Sequence, residues 1–105
     1  MAQFDVYRNP DAASRRRVPF LLDIQSELLE PLTTRVVVPL RALDAAEALR
    51  MNRLMPVFDV EGRRVVMDTP QLAGIQRQAI GERVGSLGPA RHEIVAALDM
   101  LISGV

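Results

Sequence analysis

The chain has 105 residues with 13 basic and 13 acidic side chains, one histidine, no cysteine and no tryptophan. That length fits a single domain spanning 1–105 with one core. The zero formal net charge argues against a domain that binds nucleic acid directly and alone through phosphates. Without cysteine there are no disulfides, thiol catalysts or thiolate metal sites, and nothing in the composition calls for a metal or other cofactor. No apolar run reaches membrane-spanning length. The opening Met-Ala-Gln-Phe-Asp-Val-Tyr lacks the charged-then-apolar order of a signal peptide, so a cytoplasmic protein off the membrane is expected.

In chain order, residues 3–7 alternate polar and apolar, which predicts a half-buried strand. Arg8-Asn9-Pro10-Asp11 is turn chemistry, and the segment on to Arg15-Arg16-Arg17 reads as an exposed basic loop. Arginine forks pair well with carboxylates, so this loop is a candidate docking patch for an acidic segment. Residues 18–24 predict a second strand, with Phe20, Leu22 and Ile24 facing one way and Leu21 and Asp23 the other. Residues 26–31 turn. The β-branched run 35–40 predicts a buried strand ended by Pro39.

Residues 41–50 are ambiguous between helix and loop. Residues 54–67 predict a hairpin about Glu61-Gly62, with Pro56 at an edge or bulge, closed by Asp68-Thr69-Pro70. Gly74, Gly81, Gly85 and Gly88 punctuate 71–87, which reads as short extended pieces or turns. Pro89 then starts a helix. Ile94, Ala97, Leu98, Leu101 and Val105 share one side of it, widened by Val95 and Ile102, and His92, Ala96, Asp99 and Ser103 share the other. Asp99 lies near the helix C-terminus, where the macrodipole disfavours an anion, so helix stability alone would not choose it. The sum is about five strands and a terminal helix. That is an α+β domain with the helix packed on a small antiparallel barrel or sheet.

Catalytic arrangements are scarce. The serines have only His92 as an imidazole partner. Asp23, Glu27 and Glu30 cluster without a specific spacing, and no glycine-rich phosphate loop follows a strand. The residues point to a protein that binds and not to an enzyme.

Several collinear stretches resemble the CcdB family, the toxin half of the CcdA/CcdB toxin–antitoxin pair. They are Gln3-Phe4-Asp5-Val6-Tyr7, Asp23-Ile24-Gln25-Ser26, Arg35-Val36-Val37-Val38-Pro39-Leu40, Leu54-Met55-Pro56-Val57, Ile80-Gly81-Glu82, and the final helix ending Gly104-Val105. The resemblance implies an SH3-like barrel with a C-terminal helix, assembled as a homodimer. It also implies a poison that docks on the A subunit of DNA gyrase and traps the enzyme–DNA complex in its cleaved state. A CcdA-like antitoxin with a disordered acidic tail would remove it, and the toxin–antitoxin complex would repress its own operon.

By this resemblance the gyrase contacts fall on Leu28, Ala96, Asp99, Ser103, Gly104 and Val105. The family ends Trp-Gly-aliphatic, and here serine stands where the tryptophan would be. Ala96 and Asp99 replace asparagines. The basic residues Arg8, Arg15, Arg16 and Arg17 are candidates to hold the antitoxin tail. Two alternatives follow: a homologue with lost or retargeted gyrase activity that still binds antitoxin, and an endoribonuclease like those of the related MazF class, whose barrel is similar.

Overall fold

The β-branched run at 35–40 becomes the spine of the molecule. In a computed structural model, which describes residues 1–44 and 52–104, strand β3 (Thr34–Ala42) is nine residues long and has neighbours along both edges. On one edge it pairs with β2 (Phe20–Asp23), which pairs with β1 (Asp5–Arg8), which pairs with β7 (Arg83–Ser86). On the other edge two strands lie end to end. Strand β5 (Arg63–Met67) runs along Leu40 to Ala42, and β6 (Ala73–Gln76) along Thr34 to Val37. Strand β4 (Val57–Val60) forms the far edge against β5. All these pairings are antiparallel. The helix α1 (Arg91–Ser103) comes last.

Pro39 does not end its strand, which continues to Ala42. Its carbonyl accepts the Asp68 N–H at 3.0 Å. In an antiparallel strand a residue's N–H and C=O point the same way, so the missing N–H of Pro39 faces the break between β5 and β6. There the chain makes the 3-10 turn Thr69–Gln71, and no ladder donor is required. A proline is therefore tolerated inside a central strand at the one place where its neighbour is interrupted.

The hairpin is found at Val57–Val60 and Arg63–Met67. Glu61 (φ 51°) and Gly62 (φ 74°) both have positive φ, as a two-residue primed turn requires. Residues 53–55 turn and are not strand, and Pro56 lies just before β4, its carbonyl accepting the Met67 N–H. The first strand also starts later than expected. Gln3 and Phe4 form a turn, with Phe4 at φ 70°. The Phe4 N–H donates to the Asp23 carbonyl and its own carbonyl accepts from Leu87 N–H. The unusual backbone at Phe4 is thus fixed from two sides.

Among the described residues the expected five strands are seven, because 73–76 and 83–86 pair with β3 and β1. Of the ambiguous 41–50, Arg41 and Ala42 belong to β3, and residues 45–50 lie outside the described residues.

Val6, Phe20, Leu22, Val38, Leu40, Phe58, Val60, Val65 and Met67 join Ile94 and Ala97 of α1 in one core. Strands as distant in the sheet as β1 and β4 contribute to that core, so the sheet curls around α1 as a half-barrel. The other face of β1 to β3 is also covered. Tyr7, Leu21, Asp23, Arg35 and Val37 are buried there, so β1 is not the half-exposed strand its alternation predicts. Among the described residues, no helix is long and apolar enough to cross a membrane.

Candidate functional site

The terminal helix is held by its middle. Residues Gly88–Ala90 form a 3-10 turn containing Pro89, and α1 follows at Arg91 with Glu93 in the first turn, where an anion is favoured. The Arg91 guanidinium lies over the Phe4 ring, 5.4 Å from its centroid, and donates to the Gln3 amide oxygen. Ile94 and Ala97 are fully buried, and Val95 and Leu98 pack at the core's margin. Burying an isoleucine of this kind contributes about 1.5–3 kcal/mol. The helix stops at Gly104, whose φ of 76° is the left-handed cap that glycine supplies most readily, and whose N–H donates to the Met100 carbonyl.

The predicted outer face is outside. His92, Asp99, Ser103 and Gly104 are exposed and Ala96 is half-buried. Ser103 Oγ donates to the Asp99 backbone carbonyl at 2.7 Å, so the hydroxyl's one proton is already used. Ile102 departs from the sequence pattern. Expected on the packing side, it is 81% exposed, and Leu101 is 37% exposed. The core ends at Ala97 and Leu98, so the last turn extends beyond the sheet that would cover it. Val105 lies outside the described residues. Ala96 and His92 border a cleft of about 570 Å³ with Arg53, Pro56, Val57 and Glu93.

Leu28 lies on a different element, the connection between β2 and β3. It is in the 3-10 turn Glu27–Leu29 between β2 and β3, capped by Ser26 Oγ, which accepts the Leu28 N–H. It is 91% exposed, with Leu29 and Leu32 half-exposed nearby in the chain. Among the described residues no hydrogen bond or ion pair joins this turn to α1. The structure therefore gathers Ala96, Asp99, Ser103 and Gly104 on one helix and sets Leu28 on a separate loop.

The acidic cluster noted in the sequence is structural. Asp23 and Arg35 are both completely buried, with Arg35 Nη2 and Nε at 2.5 and 3.1 Å from Asp23 Oδ2. Arg35 Nη1 reaches Glu30 at 3.3 Å. Glu30 also receives Arg77 and the N-terminal ammonium. The Arg77 hydrogen bond, with the ammonium's charge, holds the Glu30 carboxyl below its ordinary value. Glu27 is exposed. The Asp23 and Glu30 carboxylates are thus engaged around the connection that carries Leu28. A lone arginine at the head of an otherwise apolar run is the signal that points to the buried pair.

The basic loop divides. Arg8 is held by Glu82 at 2.6 Å and Glu61 at 3.0 Å, which raises its guanidinium's affinity for the proton. Arg15, Arg16 and Arg17 are exposed, and among the described residues none forms an ion pair. The loop is shaped by its own side chains. Asn9 donates to Ser14 Oγ and the Val18 carbonyl, and Asp11 accepts from Ala13 N–H and Ser14 Oγ.

The family model described as CcdB protein matches residues 3–104. Solved structures of similar fold include an endoribonuclease in complex with its cognate antitoxin from a mycobacterial species. It is 16% identical with a TM-score of 0.75, covering 97% of this chain and 94% of that one. Another is an endoribonuclease from a mycobacterial species at 15% identity and a TM-score of 0.71, covering 97% of this chain and 90% of that one. At those identities the likeness is one of fold.

Proposed function

The chain belongs to the CcdB family, toxins of toxin–antitoxin systems, and from that premise we propose that it docks on the DNA gyrase A subunit and traps the gyrase–DNA cleavage complex. The observation that carries this reading is the exposed outer face of α1, presented by a helix whose inner face is locked into the core. A face ordered before contact loses little conformational freedom on binding. In this reading the protein makes and breaks no bond. It acts by occupying gyrase while the DNA is cut.

The acting unit is a homodimer in the cytoplasm. A CcdA-like antitoxin carries an acidic tail that the exposed Arg15, Arg16 and Arg17 attract, and Arg8 stays charged between its two glutamates to border that surface. The toxin–antitoxin complex, not the free toxin, represses the operon. The solved complex of a similarly folded endoribonuclease with its cognate antitoxin supports an antitoxin partner.

The decisive experiment is supercoiling and DNA cleavage by purified gyrase with and without the protein. Accumulated cleaved DNA upholds the reading, and unimpaired supercoiling at saturating protein defeats it. The substitution at position 103 separates a working toxin from a disarmed scaffold. If gyrase is inhibited only by the Ser103→Trp variant, the natural protein has lost or changed its target. A second reading, RNA cleavage, is favoured by the fold shared with two endoribonucleases. Its one imidazole, His92, is exposed at the helix start. Incubation of the pure protein with RNA tests it, and intact RNA counts against it.

A further inference from the structure

We propose that Arg77 is a positioning residue for docking, one whose side chain holds the connection between β2 and β3 in the conformation that presents Leu28, Leu29 and Leu32 outward. Arg77 itself touches no partner and acts through the three leucines. The docking role rests on the reading of this chain as a protein that binds gyrase A, and Arg77 is not among the contact positions that the family resemblance implies.

Past the buried Gln25, the connection is not held by apolar packing. No residue of its 3-10 turn is buried. Leu28 is 91% exposed, Leu29 48% and Leu32 49%. A cleft of about 460 Å³ opens between residues 30–33 and Arg77 with Gln78. Leucines turned to solvent on a segment held this loosely would have to be ordered by a partner on contact, at a cost in affinity.

Polar ties do what packing does not. Strand β6 ends at Gln76, paired with Thr34, and the next N–H, that of Arg77, donates to the Thr33 carbonyl. The Arg77 side chain continues along the connection from there. Its Nε donates to the Leu32 carbonyl at 3.0 Å and its Nη2 to the Glu30 carbonyl. Nη2 also reaches Glu30 Oε1 at 3.0 Å. The other Glu30 oxygen accepts from Arg35 at 3.3 Å, so the carboxylate is fixed between β3 and the segment after β6. Gln25 Nε2 donates to the Leu29 carbonyl. The carbonyls of residues 29, 30, 32 and 33 are all engaged in this way.

These acceptors explain the residue type. Two carbonyls and a carboxylate lie around one planar fork, whose N–H groups are set at fixed angles. Lysine would keep the charge as a point on a flexible stem and could not satisfy the three together. Arg77 differs from Arg35 in what its loss leaves behind. The Glu30 carboxylate is 44% exposed, so removing the Arg77 guanidinium frees the connection without stranding a charge in the core.

The test measures hydrogen exchange and affinity for purified gyrase A on the full chain, for the natural protein, Arg77→Gln and Arg77→Lys. The N–H groups of Leu28, Leu29, Glu30 and Leu32 all donate within the connection, so their exchange reads its order. In Arg77→Gln they should exchange about tenfold faster, while the amides of β3 and α1 keep their rates. Kd for gyrase A should rise about tenfold at low and high salt alike. Arg77→Lys should recover little of the loss. In the natural protein the same four amides should gain protection when gyrase A is bound. Unchanged exchange in Arg77→Gln, or loosening spread evenly over the chain, overturns the proposal. So does a Kd within about twofold of the natural protein's, or no gain in protection on binding, and in these cases the gyrase reading stands. Full rescue by lysine, or a loss that vanishes at high salt, would make Arg77 a direct charge contact and also overturn it. If the natural protein does not bind gyrase A, that reading fails and the docking role of Arg77 fails with it.

Discussion

Replacing Arg35 by leucine should cost this protein a large share of its stability, through what the change leaves behind. Arg35 and Asp23 are both at 0% side-chain exposure. Two guanidinium nitrogens reach Asp23 Oδ2, and a third reaches Glu30. With the guanidinium gone, Asp23 keeps the Gln25 N–H at 2.9 Å but is left without a cation in a site cut off from water. Removing one partner of a buried pair costs about 3–5 kcal/mol, against a total of about 5–15 kcal/mol for a domain. With a urea dependence of about 2 kcal/mol per molar, the midpoint of urea unfolding should fall by roughly 2 M. Salt should not restore it, because a buried pair is poorly screened. Leucine at both 23 and 35 should recover most of the loss, since an apolar pair leaves no stranded charge. A midpoint shift below about 0.5 M for the single variant, or a double variant no more stable than the single, would refute the reasoning.

Three further outcomes follow. A Cβ at Gly81 would meet the Arg8 carbonyl oxygen at 2.6 Å, so Gly81→Ala should cost about 1–3 kcal/mol, seen as a lower midpoint in thermal unfolding monitored by circular dichroism. Arg77 and the N-terminus lower the folded-state pKa of Glu30 from 4.5. Its contribution is therefore present above that unfolded value and lost as pH falls through the depressed one. Glu30→Gln should be less stable than the natural protein at neutral pH and equal to it in acid, by urea unfolding across a pH series. Replacing Arg15, Arg16 and Arg17 together by glutamine should speed dissociation of the cognate antitoxin at low salt, with the difference closing as salt rises. Equal off-rates at low salt would remove the loop from that interface.

The periodicity of Ile94 and Ala97 made the helix and its inner face readable, and the runs at 20–24, 35–40 and 57–67 made four of the strands readable. What escaped has identifiable causes. Strands β6 and β7 are short and glycine-containing, with no fully buried residue, so they carry little alternation and exist through their pairing with β3 and β1. Pro39 reads as a stop because a strand with a gap in its neighbour looks, in sequence, like a strand that ends. Ile102 has the correct helical phase for the core, but phase does not say where the sheet beneath it runs out. Arg35 stands out at the head of an apolar run, but its partner shows only in the strand pairing, where Asp23 faces Val37, two positions from Arg35. The outer positions Ala96, Asp99 and Ser103 were placed outside by the same periodicity that found the core. Leu28 was legible as a turn residue, and its near-complete exposure was not.

Strand β1 finds its last neighbour in β7, near the opposite end of the chain, and Phe4 is tied to Leu87 just before the helix. These contacts span most of the sequence, so they close late in folding. During synthesis the N-terminal hairpin can form early, but the platform under α1 is incomplete until residues 83–103 have emerged. A chain that stops before residue 83 therefore lacks both the last neighbour of β1 and the whole of α1, so neither the closed sheet nor the helix face it supports can form.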